Sequence, residues 1–190
     1  MRIGDYDRLN RVLKDYGPRG TKLITAATKL ANDPTFIGHV KTPYDMASVT
    51  EAINKGWVSV AKADRNAFLN SLESGTGIHY ENFRDEFNAR ITKVNELSPD
   101  IRSQWSSTLT MAYHWWKHEG DFVPGRNLTI EEYFDGYAND IFRTVNIIGT
   151  AHGQTGGIKQ SYATDFGTRI HVGFSYGENQ TKATHFPKDL

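Results

Sequence analysis

The sequence contains no cysteine. The fold therefore depends on no disulfide and no thiolate metal site, and it would survive in a reducing or an oxidising compartment. No apolar run approaches the roughly 18–20 residues of a membrane span, and the first residues lack the apolar core of a signal peptide. If the protein leaves its cell, we expect a leader outside this chain or an export machine that needs no signal.

The chain also lacks an excess of either charge, because Lys plus Arg and Asp plus Glu both total 22 among 190 residues. This balance argues against non-specific nucleic-acid or membrane binding through a broad basic field. Any contact with nucleic acid would have to be local or helped by another module. With 38% hydrophobic and 12% aromatic residues, the chain can bury the core of one domain or of two small ones.

Apolar residues at helical spacing dominate the first three quarters of the chain. The pattern predicts helices over residues 5–16, 21–31, 44–54, 58–73, 80–97, 99–118 and 129–145. The sixth begins with Ser98 as cap and Pro99 at its first position, and Gly120 ends it. The seventh opens with a capping box formed by Thr129 and Glu132.

After residue 145 the pattern changes to strands. A Gly- and Thr-rich stretch without periodicity, 146–157, precedes three β-type runs at 158–163, 168–176 and 181–186. In the second run His171 alternates onto the face opposite Val172, which predicts either exposure or a place in a cleft. The fold class predicted is α+β: a helical bundle over residues 1–110, then a small module of helix and antiparallel sheet over residues 111–190.

Histidine is concentrated in the second region, with five of the seven at position 114 or later. His114 and His118 lie four residues apart and therefore share a helix face, and Lys117 leans toward the edge of that face. Imidazole changes charge near neutral pH. The same region contains four cations and a hydroxyl that could bind a phosphate: Lys117, Lys159, Arg169, Lys182 and Thr184. Together with the histidines they predict metal-free acid–base chemistry on phosphate esters.

Three stretches in this order resemble the catalytic domains of colicin D and of many polymorphic toxins of interbacterial competition. They are Trp116-Lys117-His118-Glu119-Gly120-Asp121-Phe122, Thr129-Ile130-Glu131-Glu132-Tyr133-Phe134 and Thr184-His185-Phe186-Pro187. The resemblance covers about residues 105–190. It implies a compact ribonuclease on a barnase/RelE-like scaffold that needs no cofactor and cuts RNA, in several members tRNA, by attack of a 2′-hydroxyl that leaves a 2′,3′-cyclic phosphate.

The resemblance also implies roles for individual residues. His118 would be the general acid–base, Lys117 the phosphate-stabilising cation and Thr184 the hydroxyl donor. Family members carry a second lysine where this chain has Trp115, and we expect His114 to supply the charge or a second proton transfer. Further catalytic or substrate-binding candidates are His185, Arg169, Lys159, Lys182, His171, Phe186 and Trp116.

As a toxin, the protein would be secreted or delivered into the cytoplasm of a target cell. A cognate immunity protein would neutralise it, and a host translation factor is a further candidate partner. Residues 1–110 would then serve delivery, entry or partner binding. Two alternatives remain open: a non-enzymatic helical adaptor, and a metal-dependent nuclease in which His114 and His118 are ligands, although the pair lacks the intervening glutamate of a His-Glu-x-x-His motif.

Overall fold

A computed structural model describes residues 7–144, 147–152, 158–177 and 179–189. Within these ranges the chain forms helices followed by one antiparallel sheet, which confirms the α+β class. The helices are α1 (Asp7–Tyr16), α2 (Pro18–Ala31), α3 (Pro43–Ser59), α4 (Arg65–Ser74), α5 (Ile78–Glu96), α6 (Pro99–Ser103), α7 (Thr108–His118) and α8 (Ala138–Phe142). A 3₁₀ turn (Lys62–Asp64) precedes α4, and a π-helical segment (Glu132–Tyr137) precedes α8. The strands are β1 (Ile147–His152), β2 (Ile158–Phe166), β3 (Arg169–Tyr176) and β4 (Thr181–Asp189).

The chain divides into two compact units, Met1–Thr92 and Lys93–Leu190. This division falls earlier than the residue-110 boundary that the sequence suggested. Residues just before 110 belong with the sheet because the backbone around Trp105 pairs with β4: Lys182 N donates to the Gln104 carbonyl at 2.8 Å, and Ser106 N donates to the Lys182 carbonyl at 3.1 Å. The functional roles assigned to the two ranges stay predictions.

The first unit is helical and is held by an apolar core. A capping box starts α3, in which the Thr42 side chain accepts from Asp45 N and the Asp45 carboxylate accepts from Thr42 N. Helix α3 approaches α4 closely at Gly56, where an added Cβ would lie 2.9 Å from the Phe68 side chain. The core side chains, each at most 4% exposed, include Leu23, Leu30, Phe36, Ile53, Phe68, Leu72, Phe83, Phe87 and Ile91.

The second unit is built around a four-stranded antiparallel meander in the order β1-β2-β3-β4. The π-helical segment and α8 cover one sheet face, and Gly173 of β3 permits this packing because a Cβ there would lie 3.0 Å from Ile141 and 3.2 Å from Phe142. Helix α7 packs against β4. Beneath the helices lies an aromatic core that includes Trp105, Phe122, Tyr133 and Phe134.

Two predictions about the second unit were wrong. The expected continuous helix over 99–118 ends at Ser103 and resumes at Thr108, because Trp105 forms a β-bridge with Lys182 and Ser107 caps the new helix by accepting from Thr110 N. Part of the stretch 146–157 is a strand, β1, whose backbone pairs with β2. The residue pattern of 146–157 does not reveal this strand, because strand formation depends strongly on the neighbours with which a segment pairs. No helix in the described ranges is long and apolar enough to cross a membrane.

Candidate functional site

Helix α7 presents its two histidines on one buried face. Their rings stack almost in parallel, 6.2 Å between centroids with an interplanar angle of 4°, as the four-residue spacing predicts. His114 is 7% exposed and His118 is 6% exposed. The shared face predicted from the sequence is therefore confirmed, and it points into the second unit.

His118 is oriented by a carboxylate just beyond the helix. Its Nδ1 lies 2.7 Å from Oδ2 of Asp121, and Asp121 N donates to the His118 carbonyl at 3.0 Å. An ionised carboxylate only accepts hydrogen bonds, so Nδ1 carries the proton in this pair. The proton-accepting position of the neutral imidazole is then Nε2, which is buried in this structure. A histidine held in one tautomer by a carboxylate is the arrangement used by many general bases.

Strand β4 brings its own candidate residues to the same helix. The Phe186 ring stacks on the His118 ring at 4.7 Å and 16°, and Thr184 lies two residues earlier on the same strand face. The Thr184 hydroxyl oxygen is buried. Phe186 of the last motif therefore lies beside His118 of the first.

Arg169 of β3 also reaches the end of α7. Its guanidinium donates to the carbonyls of Asp121 and Phe122, at 2.7 and 3.3 Å, and lies 5.5 Å from the Phe166 ring centroid. These bonds fix the loop that carries Asp121. Arg169 thus joins the candidate site through the backbone of this loop, with its positive charge next to the His118–Asp121 pair.

Lys117 and Trp116 lie away from the buried histidine face. Lys117 is exposed, and its ammonium lies 6.0 Å from the Tyr113 ring centroid. Trp116 is half-buried. Neighbouring helical residues point about 100° apart, so burying His118 turns Lys117 outward. The structure therefore does not bring the expected phosphate-stabilising cation against His118.

His171 and His185 belong to the core between the sheet and the π-helical segment. His171 is 1% exposed and His185 is fully buried, and His171 Nε2 lies 2.9 Å from His185 Nδ1. Burial lowers the pKa of His171 to about 4, and burial together with the nearby His171 holds the pKa of His185 well below its usual range. Of the two places expected for His171, exposure at the surface is excluded, because α8 and the π-helical segment cover the sheet face that carries it.

Lys182 and Lys159 complete the set of candidates. Lys182 donates to Gln104 Oε1 at 2.7 Å and lies over the ring of Phe142 at 5.2 Å, and burial lowers its pKa. Its ammonium thereby helps attach the segment before α7 to β4. The side chain of Lys159 lies outside the described residues.

Sequence reasoning gave Asp121 no role although it stands within the first motif. The available signal was its i,i+3 spacing from His118 across a helix end. Tyr133 was treated as an apolar helix residue, yet it is fully buried with its hydroxyl bonded to β4. In the part of the chain that the structure describes, no group of three or more His, Cys, Asp or Glu side chains is placed to hold a metal ion.

We compared the chain with protein families, curated proteins and solved structures. No family model, no curated protein and no solved structure matches this chain.

Proposed function

We propose that residues 93–190 form a metal-independent endoribonuclease of the colicin D-like toxin kind, with tRNA as the substrate class. The observation that carries the proposal is the His118–Asp121 pair, 2.7 Å apart, with Phe186 stacked on the imidazole and Thr184 on the same strand face. The order of the three sequence motifs supports the same proposal, as does the helix-plus-sheet architecture, for which a barnase/RelE-like arrangement is the proposed finer description.

His118 supplies proton transfer in this proposal. Its Nε2 takes the proton from a ribose 2′-hydroxyl, and the oxygen attacks the adjacent phosphorus. The bond from phosphorus to the 5′-oxygen breaks, and that oxygen receives a proton from a second acid, for which His114 is the candidate. The products are a 2′,3′-cyclic phosphate and a free 5′-hydroxyl.

The charge on the phosphoryl oxygens is stabilised by neighbouring donors. Thr184 contributes a hydroxyl, and Arg169 contributes positive charge beside Asp121. Because Nε2 of His118 is buried, RNA binding requires a local movement that exposes this atom. The exposed Lys117 would meet the RNA backbone outside the reacting group.

The biological setting follows from this activity. A ribonuclease toxin acts in the cytoplasm of the target cell, and its producer needs a tightly bound immunity protein. We propose that the immunity protein is acidic toward the cleavage site and that a neighbouring gene encodes it. The helical first unit then serves delivery, entry or partner binding.

The test is cleavage of purified total tRNA by the full chain in the presence of EDTA, with the fragment ends identified. We expect 2′,3′-cyclic phosphate ends from wild type, and a rate about 10²–10⁴-fold lower for His118→Ala. His39→Ala, which changes a histidine of the first unit, is the matched control and should cleave normally. Loss of cleavage in EDTA would favour the metal-dependent alternative, and an inert wild type would favour the adaptor.

A further inference from the structure

The first unit contains a tryptophan flanked by two arginines. The guanidinium carbon of Arg19 lies 4.0 Å from the Trp57 ring centroid, and that of Arg65 lies 4.4 Å from the same centroid. Arg19 also lies 5.4 Å from the Tyr16 ring centroid. Arg19 comes from the first turn of α2, Trp57 from the last turns of α3 and Arg65 from the start of α4. Three helices thus hold two positive charges against one aromatic ring.

These charges have little compensation from the protein itself. In the described part of the chain, neither Arg19 nor Arg65 forms an ion pair with a carboxylate, whereas Arg84, Arg90 and Arg126 each do. The Nε atoms of Arg19 and Arg65 are buried without a hydrogen-bond partner. Arg65 donates to the Val58 carbonyl at 3.0 Å through one terminal nitrogen. The positive end of the α2 dipole adds to the charge at Arg19.

We infer that Arg19 and Arg65 form a binding site for a phosphate group of a nucleic-acid backbone. Both guanidinium groups lie against the ring of Trp57, so a nucleobase would find little free ring surface to stack on. What the two side chains can present is N–H donors at their edges. A phosphodiester spreads its charge over oxygens that point in several directions and can accept from both arginines, whereas a carboxylate matches one guanidinium fork.

The choice of RNA as ligand rests on the proposed ribonuclease function, while the anion site rests on the two arginines alone. Interactions of this kind carry no base information and depend strongly on salt. In a protein without net charge, such a site would supply the local attraction that a basic surface supplies in other RNA-binding proteins.

The experiment measures binding of the full chain to a short single strand of 2′-O-methyl RNA, which cannot be cleaved. The double variant Arg19→Gln, Arg65→Gln should bind about tenfold more weakly, and the slope of log K against log salt should fall by about 0.7 for each phosphate that the variant no longer binds. The double variant Arg19→Lys, Arg65→Lys keeps the charge but loses the planar forks, and it should bind with intermediate affinity. Arg90→Gln, an arginine that has a carboxylate partner, is the matched control and should bind as wild type does.

A second measurement needs no variant with altered charge. In the wild type, titration with the same RNA should shift the Nε–H resonances of Arg19 and Arg65 in NMR spectra and leave that of Arg90 in place.

Unchanged binding in the folded double Gln variant, equal loss in Arg90→Gln, or unshifted Arg19 and Arg65 resonances would overturn the inference. So would binding of an oligoglutamate in preference to the RNA, which would point to an acidic protein partner. Because the RNA is uncleavable, these results are independent of the His118 chemistry.

Discussion

Tyr133 and His185 exchange two hydrogen bonds between their side chains and each other's backbone. The Tyr133 hydroxyl donates to the His185 carbonyl at 3.0 Å, and His185 Nε2 lies 2.8 Å from the Tyr133 carbonyl, with the rings stacked at 4.2 Å. A carbonyl only accepts, so His185 Nε2 carries the proton and its Nδ1 accepts from His171 Nε2. This network fixes both imidazoles as neutral donors and attaches the π-helical segment to the sheet.

Removing the Tyr133 hydroxyl should weaken this attachment. We expect Tyr133→Phe to lower the free energy of unfolding by about 1 kcal/mol, because one neutral hydrogen bond is lost. His185→Ala should cost about 3 kcal/mol, because it leaves a cavity and two buried groups without their partner. Urea denaturation monitored by circular dichroism measures both. Tyr137→Phe, in the same segment, should change stability little, and a large effect there would contradict the role given to the network.

Acid should destabilise the second unit through His171. Its pKa is lowered from 6.5 to about 4 by burial, so the unfolded chain binds a proton more readily than the folded one. The stabilising contribution is therefore complete above about pH 6.5 and is lost as the pH falls toward 4, with a total of about 3 kcal/mol. Urea unfolding at intervals between pH 7 and 4 measures it. In His171→Gln, which keeps a donor but does not titrate, this dependence should shrink; an unchanged dependence would exclude His171 as its source.

Asp121→Asn tests whether the carboxylate positions His118 for proton transfer. Asparagine can still accept from Nδ1 but carries no charge to stabilise an imidazolium. We expect an RNA cleavage rate between those of wild type and His118→Ala, measured under single-turnover conditions with unchanged folding. Asp165→Asn, an exposed residue near the end of β2, should cleave normally. A fully active Asp121→Asn would remove this residue from the proposed mechanism.

Gly173→Ala should disturb the packing of α8 on the sheet. The new Cβ would lie 3.0 Å from Ile141 and 3.2 Å from Phe142, and overpacking of this kind costs about 1–3 kcal/mol. Thermal and urea unfolding would measure the loss. Gly136→Ala is the matched control, because an added Cβ there meets nothing within 4 Å. In the helical environment of Gly136, alanine should stabilise by up to about 1 kcal/mol.

Asp33 links the loop after α2 to α5 in the first unit. Its carboxylate accepts from the Tyr80 hydroxyl at 2.7 Å and from Thr35. Burial raises the pKa of Asp33, but these hydrogen bonds and the charge of Arg84 outweigh it and bring the pKa to about 2. Its contribution is therefore present above about pH 3.8 and lost as the pH falls toward 2.

We expect Asp33→Asn to lower the stability of the first unit by about 1–2 kcal/mol at pH 7. Urea unfolding of the full chain, followed by hydrogen exchange in α2 and α5, would measure it. Asp64→Asn, an exposed acidic residue of the same unit, should have little effect. Equal stability of Asp33→Asn and wild type would show that the hydrogen bonds of Asp33 contribute no net stability.

Local patterns in the sequence determined the helices, the α+β class and the placing of His114 and His118 on one face. These features depend on residues three or four apart, on caps such as Thr129 with Glu132, and on alternation within β3, all of which act over one or two turns. The break at Trp105 depends on backbone pairing with Lys182 of the distant strand β4, and strand β1 depends on pairing with β2. Local periodicity records neither kind of pairing.

Only the tertiary structure decided which face of the sheet is covered and which polar groups meet. Alternation along β3 separates two faces, but the packing of Ile141 and Phe142 against Gly173 selects the face that carries His171 as the inner one. In the same way, burial of His118 against Phe186 turns Lys117 toward solvent and makes Asp121 its hydrogen-bond partner. The physical reason is that burial and hydrogen bonding are satisfied between elements, so the role of a polar side chain depends on what packs over it.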